Sequence, residues 1–272
     1  MTLGIAPPDA PPDIDHLGEL ARQLRALHRI GTPLVLVNAW DVSSAKQIEQ
    51  AGCAAVATSS AACAAVLGMP DDNTMAPEVA LGVFGRIARH VSVPVTVDLE
   101  GGYDLSADEL VDGLLNAGIV GCNIEDSDYT HAGVLADPDV HARRLADIRG
   151  AALASGVDLV LNARIDTFIR YPERSRDESM QDTIRRARAY LAAGADCVYP
   201  IRVSQPELVA ELVAALDAPV NANIDPTVGI DALASAGAAR ISVGPTAFAA
   251  VMRDLRHRTE LLLGGDIGGF LA

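Results

Sequence analysis

Along this chain a short run rich in Val, Ile or Ala repeatedly gives way to a polar loop, then to an amphipathic stretch that ends at Gly or Pro. The runs are PLVLVNA (33–39), AAVATSS (54–60), PVTVDLE (94–100), GCNIEDS (121–127), LVLNARID (159–166), CVYPIRV (197–203), PVNANID (219–225) and ARISVGP (239–245). Apolar runs of this length, each followed by a helical pattern, predict strands alternating with helices. Glycines at 52, 118, 156, 194 and 237 follow the helical patterns, where a left-handed residue ends a helix at least cost. Regular βα alternation requires parallel strands with right-handed crossovers, and eight such units predict an α/β fold of the closed (β/α)8 TIM-barrel type. An open doubly wound sheet is the alternative. Against it, no G-x-G-x-x-G follows the first run, and no G-x-x-x-x-G-K-[ST] phosphate loop occurs.

The repeat assigns residues 16–272 to one barrel domain and leaves 1–15, with their prolines and aspartates, as a flexible N-terminal arm. Half the residues are hydrophobic but only 4% are aromatic, so a core of many small aliphatic contacts is expected. A formal net charge of −15 argues against nucleic acid or an anionic membrane as partner. An anionic ligand then needs local positive charge from a metal, an arginine or helix N-termini. Cys53, Cys63, Cys122 and Cys197 have no C-x-x-C spacing and sit in or beside apolar segments, which predicts reduced thiols. There is neither an apolar run long enough for a membrane span nor a signal-peptide pattern at the start, so a cytoplasmic location is expected.

Barrel active sites lie at the C-terminal ends of the strands. In this chain those ends carry Asn38 and Asp41, Ser59 and Ser60, Asp98 and Glu100, and Asn123, Glu125 and Asp126. Later runs add Asn162, Arg164 and Asp166, then Arg202, Asn221, Asn223 and Ser242. Alternation along a strand puts Asp98 with Glu100, Asn123 with Glu125, and Asn162 with Arg164 and Asp166 on common faces. Carboxylates converging at the barrel mouth require protonation or a cation. An all-oxygen set of Asp98, Glu100 and Glu125 suits Mg²⁺, with Mn²⁺ as the alternative ion. The competing reading is that each acid caps a helix or pairs with arginine. Arg164 is a candidate clamp for a substrate carboxylate, or else a salt-bridge partner of Asp166 or Glu125. Ser59 and Ser60 either donate to an oxyanion or end their strand. His131, in the loop after the fourth run, is a candidate general acid or a solvated loop residue.

NAWDVSSAKQIEQAG, ATSSAACAAVLGMPD, VPVTVDLEGGYD, AGIVGCNIED, LNARIDTF, RARAYLAAGADCVYP and RISVGP together resemble the isocitrate lyase and phosphoenolpyruvate mutase superfamily, in order over roughly residues 30–250. The resemblance implies a (β/α)8 barrel whose C-terminal helix is exchanged between subunits of a homodimer or homotetramer. It implies Mg²⁺ held by Asp98, Glu100 and Glu125, partly through waters, with Asp71 of GMPD in support. It places Ser59, Ser60 and Ala61 against the ligand carboxylate or oxyanion, Arg164 on an anionic end of the substrate, and Asp41 near the ligand's other side. Asn221, ending the seventh run, is a further substrate-binding candidate.

After NIED the chain departs from the pattern. The superfamily's carbon–carbon lyases carry Lys-Lys/Arg-Cys-Gly-His there, and its mutases carry lysine and asparagine. This chain reads SDYTHAGVLADPDVHARRL, without cysteine or lysine. Tyr129 and His131 are the candidates to replace the missing acid. The expected function is a Mg²⁺-dependent lyase acting on a small 2-oxo or 2-hydroxy di- or tricarboxylate through an enolate. Phosphonopyruvate-type mutase or hydrolase chemistry is the alternative, and a ligand-binding barrel without turnover is a third reading.

Overall fold

The computed structural model describes residues 12–131 and 134–272. The eight expected runs form β1 (Leu34–Leu36, resuming at Asn38–Ala39), β2 (Val56–Thr58), β3 (Val95–Asp98), β4 (Gly121–Glu125), β5 (Val160–Ile165), β6 (Cys197–Pro200), β7 (Asn221–Asn223) and β8 (Arg240–Ser242). Pairing is parallel throughout this set. The first half of β1 pairs with β8, Leu34 opposite Arg240, and its second half with β2, Asn38 opposite Ala57. Pairs then run from β2 through β6 in order. A bridge between Val198 and Val220 joins β6 to β7, and β7 pairs with β8. The pairing returns to its start, so the sheet is a closed barrel and the open-sheet alternative is excluded.

The helices are α1 (Ile14–Ala26), α2 (Val42–Gln50), α3 (Ser60–Leu67), α4 (Pro77–Ala88), α5 (Ala107–Asn116), α6 (Pro138–Ala154), α7 (Thr167–Arg170), α8 (Arg176–Ala192), α9 (Pro206–Leu216), α10 (Ile230–Ser235), α11 (Thr246–Leu263) and α12 (Ile267–Leu271). Among the described residues, no helix is long and apolar enough to cross a membrane. All four cysteines are free. Of the expected N-terminal arm, residues 1–11 lie outside the described residues. Asp13 accepts from the His16 backbone N–H and starts α1 at Ile14, two residues before the expected boundary.

Helix α1 covers the N-terminal end of the barrel. Arg25 bonds Asp196 and the Asp158 and Leu159 carbonyls, all just ahead of β6 and β5. Leu24, fully buried, reaches so close to Gly121 that a Cβ there would lie 2.7 Å from its methyl, so any side chain at the start of β4 would have to displace Leu24. The aliphatic core expected from composition lies between strands and helices, but the barrel interior differs. Asn123, Asn162, Asn221, Arg240 and Ser242 are buried there and linked side chain to side chain. Inward positions recur every second residue along each strand, and in this half of the barrel those positions are polar.

Two elements were not expected. The segment after β4 forms a small antiparallel hairpin, Ser127–Asp128 against Val134–Leu135. The single-turn helix α7 follows β5 directly. Both stand at the C-terminal mouth of the barrel.

Candidate active site

Strand register assembles the site in two tiers. Asp98 lies beside Asn123, which lies beside Asn162. One step higher, Glu125 lies beside Arg164, which lies beside Tyr199. Above them opens a cavity of ≈ 520 Å³ lined by Ser60, Asp71, Asp72, Thr74, Glu100, Glu125, Asp128, Tyr129, Arg164, Ile169 and Arg170. That volume suits a small metabolite. A roomier groove of ≈ 600 Å³ lies between α2 and α11, but it has mainly apolar walls and gathers no carboxylate cluster. The carboxylates and arginines gather at the mouth.

Arg164 is bound on all three nitrogens. Its Nε and Nη2 donate to the two oxygens of Asp166, at 2.7 and 3.1 Å, and Nη1 meets Glu125 Oε2 at 2.6 Å. Asp98 Oδ2 lies farther off, at 3.9 Å. Of the two readings for Arg164, the salt bridge is therefore the observed one, and it engages both candidate acids at once. Asp166 is fixed in turn by the Ser127 hydroxyl at 2.6 Å, and its backbone N–H donates to Asp126. Asp126, fully buried, accepts from Arg186 at 3.1 Å and Tyr190 at 2.8 Å. Arg164 is thus anchored through two carboxylates to helix α8, which locks its orientation.

Glu100 follows β3 with φ of 52°, a left-handed conformation that costs a non-glycine residue about 1–3 kcal/mol and has to be held by its surroundings. The Glu125 backbone N–H donates to the Glu100 carbonyl at 3.0 Å, and the Asn73 N–H donates to its carboxylate. Asn73 Oδ1 accepts from the Gly101 and Tyr103 N–H groups, each at 3.1 Å. The loop after α3 is thereby clipped onto the turn after β3, and Asp71 is carried to the cavity wall. Gly101 lets the turn approach the Tyr129 ring closely, since a Cβ there would sit 3.1 Å from it.

The candidate residues separate clearly. Ser60 donates to Asp98 Oδ2 at 3.2 Å and lines the cavity. Tyr129 lines it too, with its hydroxyl 2.5 Å from Glu125 Oε1. Ser59 instead caps α3, accepting from the Ala62 N–H, and neither it nor Ala61 is a lining residue. Asp41 caps α2 through the Ser44 N–H and hydroxyl and faces the α2–α11 groove. His131 stands on the outside of the hairpin loop, its side chain 75% exposed and bonded to Asp128, apart from the cavity. Asn221 is buried in the barrel interior against Ser242. Arg170, Asn73 and Arg240 carried no sequence signal strong enough to single them out. For Arg240 the available clue was its position two residues before Ser242, on the same strand face.

The three acids expected to hold a metal do not form a ready-made ligand cage. Among the described residues, no group of three or more His, Cys, Asp or Glu converges at ligating distance. The cause is visible: Glu125 turns to Arg164 and Tyr129, and Glu100 turns to Asn73. Asp98 is different. Its Oδ1 is buried with no hydrogen-bond partner among the described residues. An unsatisfied carboxylate oxygen next to an acid-lined cavity is a donor chemistry that fits a hard divalent cation.

Electrostatics agree with that fit. Burial pushes Glu100 up to about 7, opposed by the Asn73 N–H and reinforced by Asp71 and Asp98. Burial likewise raises Asp71, with the Ser60 contact opposing. Glu125 is raised by burial and held down by Arg164, and Asp126 is pushed by burial up to about 6. Burial disfavours the Arg164 charge, but Glu125, Asp166 and Asp98 outweigh it and raise the guanidinium. Each raised carboxyl favours the folded state in its protonated form, a contribution complete below about pH 4 and lost as pH rises through the folded-state values. Thermal melts in EDTA are therefore expected to show Tm falling between about pH 5 and pH 8, and Mg²⁺ is expected to shrink that fall by stabilising the ionised forms. A Tm that rises across this range, or is indifferent to Mg²⁺, would refute the assignment.

Comparison with known proteins shows the family. The family model described as Phosphoenolpyruvate phosphomutase matches residues 24–263, and the chain belongs to that family. A solved Burkholderia cenocepacia J2315 structure, provisionally described as a phosphonomutase, is 39% identical, with a TM-score of 0.82 over 89% of this chain and 99% of that one. The 2-methylisocitrate lyase of Escherichia coli is 27% identical over 248 residues, 85% of this chain and 80% of that one. A phosphonopyruvate hydrolase solved with oxalate and Mg²⁺ is 23% identical, with a TM-score of 0.79 over 91% and 88% of the two chains, and shares the fold.

Proposed function

We propose that the chain is a Mg²⁺-dependent lyase that cleaves or decarboxylates a small 2-oxo or 2-hydroxy di- or tricarboxylate through an enolate. The observation that carries this reading is Asp98, with one carboxylate oxygen unpartnered beneath an acid-lined cavity. Asp98 would hold the cation directly, with Asp71, Glu100 and Glu125 acting through water. When bound, the ion would withdraw electron density from the 2-oxo group and stabilise developing negative charge. Ser60, at the first turn of α3, would place its hydroxyl and a helix N-terminus beside that charge. Tyr129 is the proton source best placed at the cavity. Burial and the adjacent Glu125 raise its phenol, so the proton stays on the oxygen until a strongly basic carbon forms. The protein would act as a homodimer or homotetramer in the cytoplasm. Supporting exchange of the C-terminal helix, α11 has no buried residue and exposes Val251, Leu255, Leu262 and Leu263.

A second reading, carbon–phosphorus chemistry on a phosphonopyruvate-like acid, is favoured by the family description and by the Burkholderia relative. A screen of oxaloacetate, citramalate-type acids, isocitrates and phosphonopyruvate, with release of pyruvate, glyoxylate or phosphoenolpyruvate read by coupled assays, separates the two. Mg²⁺-dependent pyruvate release from a carboxylate substrate, reduced about 10²-fold or more in Tyr129→Phe, is the expected result. Turnover of phosphonopyruvate alone favours the second reading, and no turnover with tight oxalate binding favours a binding barrel.

A further inference from the structure

Two arginines line the cavity, and they are not equivalent. Arg164 has each guanidinium nitrogen paired with Asp166 or Glu125. Displacing either acid would leave a buried carboxylate alone, so Arg164 serves the site as a fixed counter-charge. Arg170 ends α7, one turn after Asp166, with its side chain 29% exposed. Its Nε donates to Ser127 Oγ at 2.9 Å, and Ser127 itself donates to Asp166. Asp166 Oδ2 lies 4.0 Å from that same Nε edge. Among the described residues, Nη1 and Nη2 of Arg170 make no hydrogen bond. The guanidinium is thus anchored at one edge, and its outer fork is available at the wall of the cavity.

We infer that Arg170 binds the distal carboxylate of a dicarboxylate substrate, an inference that rests on the proposed function for where the other end lies. The charges require such a group. The lining holds Asp71, Asp72, Glu100, Glu125 and Asp128 against Arg164 and Arg170. A dianion enters that field only if both of its ends meet positive charge. The cation at Asp98 would serve one end, and Arg170 offers a planar pair of donors to the other. Because Nε is held by Ser127, recognition is end-on through Nη1 and Nη2, a geometry matched by a carboxylate. Arg170 therefore selects for a second carboxylate and against monocarboxylates, acting in binding and not in bond cleavage.

The test is calorimetric titration of full-length wild type and Arg170→Met, in saturating Mg²⁺, with four probes: oxalate, lactate, malate and phosphonopyruvate. Malate is lactate with a distal carboxylate added, and oxalate has no distal group. In Arg170→Met, malate affinity is expected to fall about 10- to 100-fold, toward that of lactate, the size of a lost charge-assisted contact. Oxalate and lactate are expected to change less than about twofold. Equal weakening of all probes would make Arg170 a structural residue and overturn the inference, as would unchanged malate affinity. Weakening of phosphonopyruvate without malate would overturn the assignment to a carboxylate. Wild type binding none of the four would instead refute the proposed function, and this inference with it.

Discussion

Asp98→Ala is expected to leave the barrel folded while lowering Mg²⁺-dependent kcat by about 10²–10³-fold or more, the range seen when one electrostatic group at a reacting centre is deleted. The asymmetry follows from its contacts. Asp98 accepts one hydrogen bond, from Ser60, keeps Arg164 at 3.9 Å, and has its other oxygen unpartnered. Truncation therefore removes little that holds the fold, on the order of 1 kcal/mol, while it removes a buried carboxylate oxygen that has no hydrogen-bond partner among the described residues. Parallel measurements of kcat and Tm check the point. A collapse of Tm would make Asp98 a structural acid, and retained turnover would remove it from the site.

Arg164→Met is expected to act the opposite way, with stability failing first. The substitution strands Glu125 and Asp166, both buried, without their common partner. Breaking a buried pair on one side costs about 3–5 kcal/mol, and here two acids lose the same cation. Urea titration should show the midpoint falling sharply in Arg164→Met and partly restored in Arg164→Lys, which returns the charge without the fork. A wild-type midpoint in Arg164→Met would mean that the observed ion pairs carry no net stability. Together the two variants separate the acid proposed to bind the ion from the counter-charge paired with Glu125 and Asp166.

Which residues were legible beforehand depended on how locally their roles are determined. Asp98, Asn123, Glu125, Asn162 and Arg164 are placed by strand alternation alone, so reading every second residue was enough to bring them to one mouth. The barrel order was equally local, since each strand run and helix stop is a short-range signal. Glu100 is legible from strand alternation, but its left-handed backbone and the clip from Asn73, 27 positions earlier, depend on tertiary contact. Asp41 and Ser59 show the limit from the other side. Helix capping needs the same residue types as ligand binding, and in both cases the cap is what formed. Tyr129 and His131 are two residues apart in one loop, yet the hairpin turns one toward Glu125 and the other to solvent. Arg170 was hidden because a one-turn helix has no periodicity to detect.

The most direct test of the site is titration of oxalate into the wild-type protein, once with Mg²⁺ and once with EDTA. Oxalate presents the same adjacent oxygens as a 2-oxo acid and has nothing to be cleaved. With an unpartnered Asp98 oxygen next to Ser60 and Arg164 of the acid-lined cavity, oxalate is expected to bind in Mg²⁺ and to lose at least about 100-fold in affinity, near 2.7 kcal/mol, in EDTA. Equal affinity under both conditions, or no binding in either, would contradict a divalent-cation site at the barrel mouth.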